Sequence, residues 1–182
     1  ANLRQTVTKS IRRWENVTMG FTDTGLAPGS THQYRVVVTD PFGNTANSPW
    51  TSVTVAASGS DSAYVKAVYA SQPTNYWRLG EAAGTTVSQD RVGFMPSTAQ
   101  AGVTRGSAGA IAGDSDTAST FSGTNTGWQT STEQHNPPDV FTLEAWFKTS
   151  SVTGGRILGW SSRIDRNSQK HDRQLYMDNS GR

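Results

Sequence analysis

The sequence contains no cysteine, which removes disulfide staples and thiolate metal sites and leaves the compartment open, since large β-sandwiches fold without staples. Charge is scarce as well: 16% of residues are Asp, Glu, Lys or Arg, and the formal net charge is +2. The sequence pI is about 9.1, but so small an excess spread over 182 residues makes no single-sign field of the kind that draws in nucleic acid or an anionic membrane. No apolar run approaches the roughly 18 residues that a membrane-inserted helix requires. The opening ANLRQT has neither a methionine nor the apolar core of a signal peptide, so the start is expected to be processed or to lie inside a longer chain. What is abundant is 18 glycines, 7 prolines and long Ser/Thr-rich stretches, a composition suited to short strands joined by tight turns. The expectation is an all-β protein.

Two segments and a linker emerge along the chain. In the first, residues 1–57, HQYRVVVTD places Tyr34, Val36 and Val38 on one face of a strand and Gln33, Arg35 and Thr39 on the other. A turn-rich DPFGNTANSP then leads to a second strand, WTSVTV, from Trp50 to Val55. Upstream residues read as shorter strands broken at Glu15-Asn16 and near Asp23 and Gly25. The small, polar AASGSDSA has nothing to bury and marks a linker over residues 58–63.

The run GFTDTGLAPGSTHQYRVVVTDPFGNTANSP resembles the second half of a fibronectin type III domain. The likeness rests on Leu26, Pro28 and Gly29, then a Tyr-x-Val strand, then an Asp…Gly-Asn loop before the last strand. That family usually carries a tyrosine two residues before the Tyr34 position, whose hydroxyl ties the corner to the backbone; here the residue is His32, and the bond is either made by imidazole or lost.

From Tyr64 onward the chain resembles a laminin G-like, concanavalin A-like jelly roll. The likeness rests on YWRLGE (Tyr76 to Glu81), the Gly-rich AGVTRGSAGAIAGDSDTASTFSG, FTLEAWFKT (Phe141 to Thr149), GGRILGW (Gly154 to Trp160) and DRQLYMDNSGR. In FTLEAWFKT, Phe141, Leu143, Ala145 and Phe147 alternate with Thr142, Glu144, Trp146 and Lys148, as in an outer strand of a sandwich. In QLYMDNSGR, Leu175 and Met177 lie on one arm of a hairpin that ends in its turn. The resemblances imply two consecutive β-sandwiches, fibronectin type III-like over 1–57 and jelly roll over 64–182, both incomplete in this chain, so that other domains or chains would complete them.

Candidate chemistry follows residue type. GDSDT, Gly113 to Thr117, carries the Gly-Asp-Ser of some esterase turns, but no helical pattern follows it and a loop reading is preferred to a nucleophile. Glu81 and Glu144 are the acids that a glycosidase pair would need, yet both fall in framework motifs. The jelly-roll resemblance implies a calcium ion held by loop oxygens, with Asp90, Asp114, Asp116 and Asp172 as the metal candidates; the same acids serve equally well as turn caps. His32, His135 and His171 lack ligand spacing for zinc. Among six tryptophans, Trp77, Trp146 and Trp160 sit in strand motifs, which leaves Trp128, in the polar TNTGWQTSTEQ, as the ligand-binding candidate. Arg12 to Trp14, with Arg163, Arg166, Lys170 and Arg173, could meet phosphate or sulfated glycan, and Asn16 opens an N-glycosylation triplet.

No catalytic constellation emerges. The expectation is a non-catalytic binding or spacer fragment of a modular secreted, cell-surface or virion protein, with a glycan or protein ligand for the jelly roll and no nucleic acid partner. The rivals are accessory modules of a secreted glycosidase or other hydrolase whose catalytic domain lies elsewhere, and a purely structural tail or fibre component.

Overall fold

The computed structural model of the protein describes residues 3–8, 20–21, 23, 26–27, 29–55, 61–133, 137–165, 168 and 170–182. Strand accounts for 32% of them and helix for 5%, all the sheets are small and antiparallel, and the β-rich expectation holds. No helix among the described residues is long and apolar enough to cross a membrane. The chain divides into two compact units, Ala1–Ser71 and Gln72–Arg182.

In the first unit β1 (Thr31–Tyr34) pairs with β4 (Thr51–Thr54), and β2 (Val37–Thr39) pairs with β3 (Thr45–Asn47). The single strand expected over 33–39 is therefore divided between two partners. The cause lies opposite: β3 runs into Ser48-Pro49, and proline has no N–H with which to continue a ladder. Ser48 bridges the gap, its Oγ accepting the Val36 N–H at 2.9 Å and its N–H donating to the Val36 carbonyl at 2.9 Å. His32 and Tyr34 are half-buried, whereas Val36 and Val38, expected on the same covered face, are 61% and 53% exposed. Nothing described packs over them.

The His32 imidazole makes a side-chain bond rather than a direct bond to the backbone. Its Nε2 lies 2.7 Å from Ser30 Oγ, which in turn reaches the Ala27 carbonyl at 2.5 Å. Tyr34 donates its hydroxyl to Asp23 at 2.9 Å, and Arg4 meets the other oxygen of that carboxylate at 2.5 Å.

A helix, α1 (Ala63–Ala70), follows at the start of the segment expected to be all-β. The local sequence supports it. Ser62 caps the first turn by accepting the Val65 N–H at 3.3 Å, alanines fill the turns, and Ser71 then Pro73 end it. Val65 is the most enclosed apolar residue described, 1% exposed. The division between units falls after this helix, beyond the 63/64 boundary read from composition. Residues 58–60 of the expected linker, with Pro28, His135, Arg166, Asn16 and Arg12 to Trp14, lie outside the described residues.

The second unit contains a three-stranded sheet, β5 (Val87–Ser88), β6 (Ser97–Ala99) and β9 (Gln129–Ser131), and two two-stranded sheets, β7 (Val103–Ala108) with β8 (Thr117–Phe121) and β10 (Gly155–Ser161) with β11 (His171–Met177). A bulge at Gly106, φ 86°, shifts the β7–β8 register between Arg105 and Ser107.

A polar network ties the three-stranded sheet to β7–β8. The Arg105 side chain is 2% exposed. Its Nη1 donates to Ser119 Oγ at 2.6 Å and lies 3.6 Å from Glu81 Oε2; its Nη2 donates to Gln129 Oε1 at 3.0 Å; its Nε donates to the Thr85 carbonyl at 3.2 Å. Gln129 passes the connection to Ser97 Oγ at 2.6 Å, and Ser88 Oγ lies within bonding distance of both Glu81 and Gln129. The buried residues here are mostly polar: Ser88, Ser97 and Ala99 are 0%, 5% and 8% exposed.

The strand expected over FTLEAWFKT has no ladder partner among the described residues. At its beginning Phe141 meets Trp160 edge-on at 5.9 Å and the Arg173 guanidinium lies 5.6 Å above the Phe141 ring. Farther on, Trp146 and Phe147 are 70% and 56% exposed. Leu175 and Met177 line an open groove of about 660 Å³ together with Phe147, Val152 and Ile157.

Arg105→Met retains most of the side-chain length but leaves Glu81, Gln129 and two backbone carbonyls facing an apolar chain. We expect it to destabilise the second unit by about 3–5 kcal/mol in urea unfolding. A loss below about 1 kcal/mol, the net worth of one ordinary hydrogen bond, would mean that the guanidinium does not hold the sheets together.

Candidate functional site

The acids proposed as calcium ligands fall into three separate environments. Asp90 is the centre of the loop that joins β5 to β6. Its Oδ1 accepts the N–H groups of Tyr76 at 2.9 Å and Val92 at 3.0 Å; its Oδ2 accepts the Asn75 side-chain amide at 2.6 Å and the Met95 N–H at 3.1 Å. Both lone pairs of each oxygen therefore face a donor. An isolated bridge from Trp77 to Asp90 and the Trp77 Nε1 bond to the Met95 carbonyl at 2.8 Å fasten YWRLGE to the same loop. Burial alone would raise the Asp90 pKa, but the Tyr76 N–H, the Asn75 amide and the Gly93 and Val92 N–H groups outweigh it and hold the carboxyl below its usual range.

Asp114 and Asp116 do come together, around a cation already present in the chain. Arg78 Nε meets Asp116 Oδ2 at 2.6 Å, and Arg78 Nη2 lies 3.8 Å from Asp114 Oδ1. Asp114 also accepts the Asp116 N–H at 2.9 Å, closing the turn. Burial opposes the charge on Arg78, but the Asp116 hydrogen bond and the two carboxylates raise its pKa. The adjacent Leu79 takes a left-handed φ of 62°, and its carbonyl is held by Ser119 Oγ at 2.8 Å. GDSDT runs from this turn into β8 rather than into a helix, so Ser115 does not occupy the strand-to-helix turn that an esterase nucleophile requires.

Asp172 lies on β11, ion-paired to Arg173, which also reaches Asp139 at 3.5 Å. So positioned, the candidate acids do not converge on one point: Asp90 is filled by N–H donors, and the cation that Asp114 and Asp116 face is the Arg78 guanidinium. Among the described residues no three His, Cys, Asp or Glu side chains are grouped to hold a metal ion. Of the proposed carboxylate pair, Glu81 belongs to the Arg105 network and accepts the Gln89 N–H at 3.1 Å, whereas Glu144 is exposed on the unpaired segment.

Trp128 is half-buried, and its indole N–H is spent on the Asn125 carbonyl at 2.8 Å, folding the ring against its own turn. The more exposed indole is Trp146, which sequence reasoning had assigned to a strand interior. Its place among alternating residues was visible, but its 70% exposure was not. Arg163 is paired with Asp165 at 3.0 Å, and His171 lies 3.3 Å from Arg156 Nη1. The exposed large apolar residues of this unit include Val140, Phe141, Trp146, Phe147 and Val152, of which Phe147 and Val152 line the groove with Leu175 and Met177.

No protein-family model, no curated protein and no solved structure matches the chain.

Asp90→Asn replaces two of the acceptor lone pairs by donors facing donors, and we expect a loss of about 1–3 kcal/mol. Because the folded carboxyl is held below its ordinary pKa, its contribution is present above the carboxylate range and declines as pH falls through the depressed value. Urea unfolding followed from about pH 7 to about pH 3 should show the wild type converging on the variant. A constant gap would exclude Asp90 as the source. Gly93→Ala should act in the same direction, since its Cβ would collide with Asn75, Asp90 and the Thr74 carbonyl.

Proposed function

We propose that the chain is a non-catalytic pair of β modules from a larger extracellular, cell-surface or virion-displayed protein, and that its second module binds a glycan or protein ligand. The observation that carries this reading is the exposed aromatic run of the second unit, with Phe141, Trp146 and Phe147 44%, 70% and 56% exposed along a segment that has no strand partner among the described residues. Exposed large apolar side chains gathered in one segment favour an interaction site. Tryptophan and phenylalanine faces suit both the apolar side of a pyranose ring and a protein partner.

The unpaired segment supports a further part of the reading, that strands from another domain or chain complete the sheets. Residues 141–150 have strand-like alternation without a ladder, and β10 and β11 pair only with each other among the described residues. An extended neighbour added to such an edge would satisfy backbone groups and cover the aromatic side chains together.

Binding to immobilised glycans and to candidate cell-surface proteins tests the reading. Trp146→Ala should weaken the positive interaction about tenfold or more, while Trp128→Ala, whose indole is committed to its own turn, should change it little. Unaltered binding by the Trp146 variant would remove the aromatic segment from the site.

A further inference from the structure

The sequence holds one Asp-Pro linkage, Asp40–Pro41, and it falls in the exposed turn between β2 and β3. The nitrogen of that linkage belongs to a tertiary amide with no N–H. It takes a proton more readily than an ordinary peptide nitrogen and departs as a secondary amine.

The turn arranges groups on both sides of this bond. Asp40 Oδ1 accepts the N–H groups of Phe42 at 2.9 Å and Asn44 at 2.8 Å, and Oδ2 accepts the Asn44 side-chain amide at 2.7 Å. These bonds hold the carboxylate toward the residues that follow, beside its own peptide linkage. The Asp40 carbonyl, which belongs to the Asp-Pro bond itself, accepts the Gly43 N–H at 3.0 Å. Gly43 adopts φ 87°, a left-handed conformation that places its N–H there at no steric penalty. A carboxylate nucleophile, a polarised carbonyl and a proline leaving group thus occupy a single turn.

We propose that Asp40–Pro41 is an autolytic cleavage site at which the folded hairpin promotes scission of its own chain in mild acid. A carboxylate oxygen of Asp40 adds to the backbone carbonyl carbon of the same residue, and the carbonyl oxygen takes up negative charge against the Gly43 N–H, as in an oxyanion hole. The C–N bond to Pro41 breaks; its electron pair stays on nitrogen, which is protonated by solvent acid. Water then opens the cyclic anhydride and leaves Asp40 with its side-chain and α-carboxyl groups free. The net reaction consumes water alone. The Asn44 side-chain amide, followed by the Asn44 N–H, outweighs burial and keeps the Asp40 carboxyl below its ordinary pKa, which favours the ionised nucleophile in mild acid. Holding the carboxylate and the carbonyl within one short turn limits the conformations from which attack must start, as in other intramolecular reactions.

The cut would fall between paired strands. β1 and β2 lie upstream and β3 and β4 downstream, so among the described residues the two pieces would remain joined without a covalent link, through ladders of four and three residue pairs and the hydrogen bonds beside them, such as those between Val36 and Ser48. Scission converts a covalent connection into one that separates when the hairpins open.

Intact-mass measurement of the full chain held at about pH 4 and at about pH 7 tests the proposal. The expected products end at Asp40 and begin at Pro41, accumulate with time in acid, and are absent from D40N and P41A. They form faster from the folded chain than from the same chain unfolded in urea at the same pH. Should either substitution disturb the hairpin, the comparison of folded with urea-unfolded wild type still decides. No scission at this bond, scission that persists in D40N, or a rate in urea equal to or above the folded rate would overturn the proposal.

Discussion

The second unit depends on a guanidinium in its interior. Arg105 projects from β7 with 2% of its side chain exposed, opposite Ser119 on β8, and its remaining donors go to Gln129 on the neighbouring sheet and to the Thr85 carbonyl before β5. A charge so placed must have its partners supplied by the fold, because an unpaired one would be expelled or would carry water with it. The positions of Glu81, Ser88, Ser97 and Gln129 are therefore coupled. Changing any of them alters the solvation of the same cation, and the two sheets are held by direction-specific bonds more than by apolar contact.

Carboxylates organise the loops in a comparable way. Asp40 closes the β2–β3 turn, and Asp90 gathers four N–H donors around the approach to β6. Asp178 Oδ1 accepts the Ser180 N–H at 2.8 Å, the Ser180 hydroxyl at 2.7 Å and the Arg182 N–H at 2.9 Å. In each case a short side chain substitutes for the backbone acceptor that an irregular loop lacks. A scarcity of charge across the chain is consistent with this use, since several of the few acids present are committed to turns.

Much of the local structure was readable from residue order. WTSVTV forms β4, GGRILGW forms β10 and DRQLYMD contributes to β11, in keeping with their alternation. Of the turn-rich DPFGNTANSP, DPFGN does turn, because Asp, Pro, Gly and Asn each specify a backbone conformation locally, but Thr45–Asn47 in the same run forms β3. Partner choice was not readable. Val36 and Val38 alternate as a covered face would, yet remain exposed, and Phe141 to Phe147 alternate without a ladder; periodicity records what a strand could cover, not what lies opposite. The helix at Ala63–Ala70 was hidden because its capping serine stands among other serines that read as linker. For the candidate site, Asp114 and Asp116 were identifiable as a pair by their spacing. Arg78, thirty-eight positions from Asp116, was not, since only the tertiary fold brings it to them.

The polar interior also affects how the protein responds to temperature. Exposing apolar surface raises the heat capacity of the unfolded chain, whereas exposing polar surface lowers it. A unit whose enclosed residues are chiefly serine, glutamine and an ion-paired arginine should therefore have an unusually small heat-capacity increment. Its stability curve would be broad and shallow, with little of the sharp decline on cooling that accompanies a large hydrocarbon core. The same network that joins the sheets would make folding comparatively indifferent to cold.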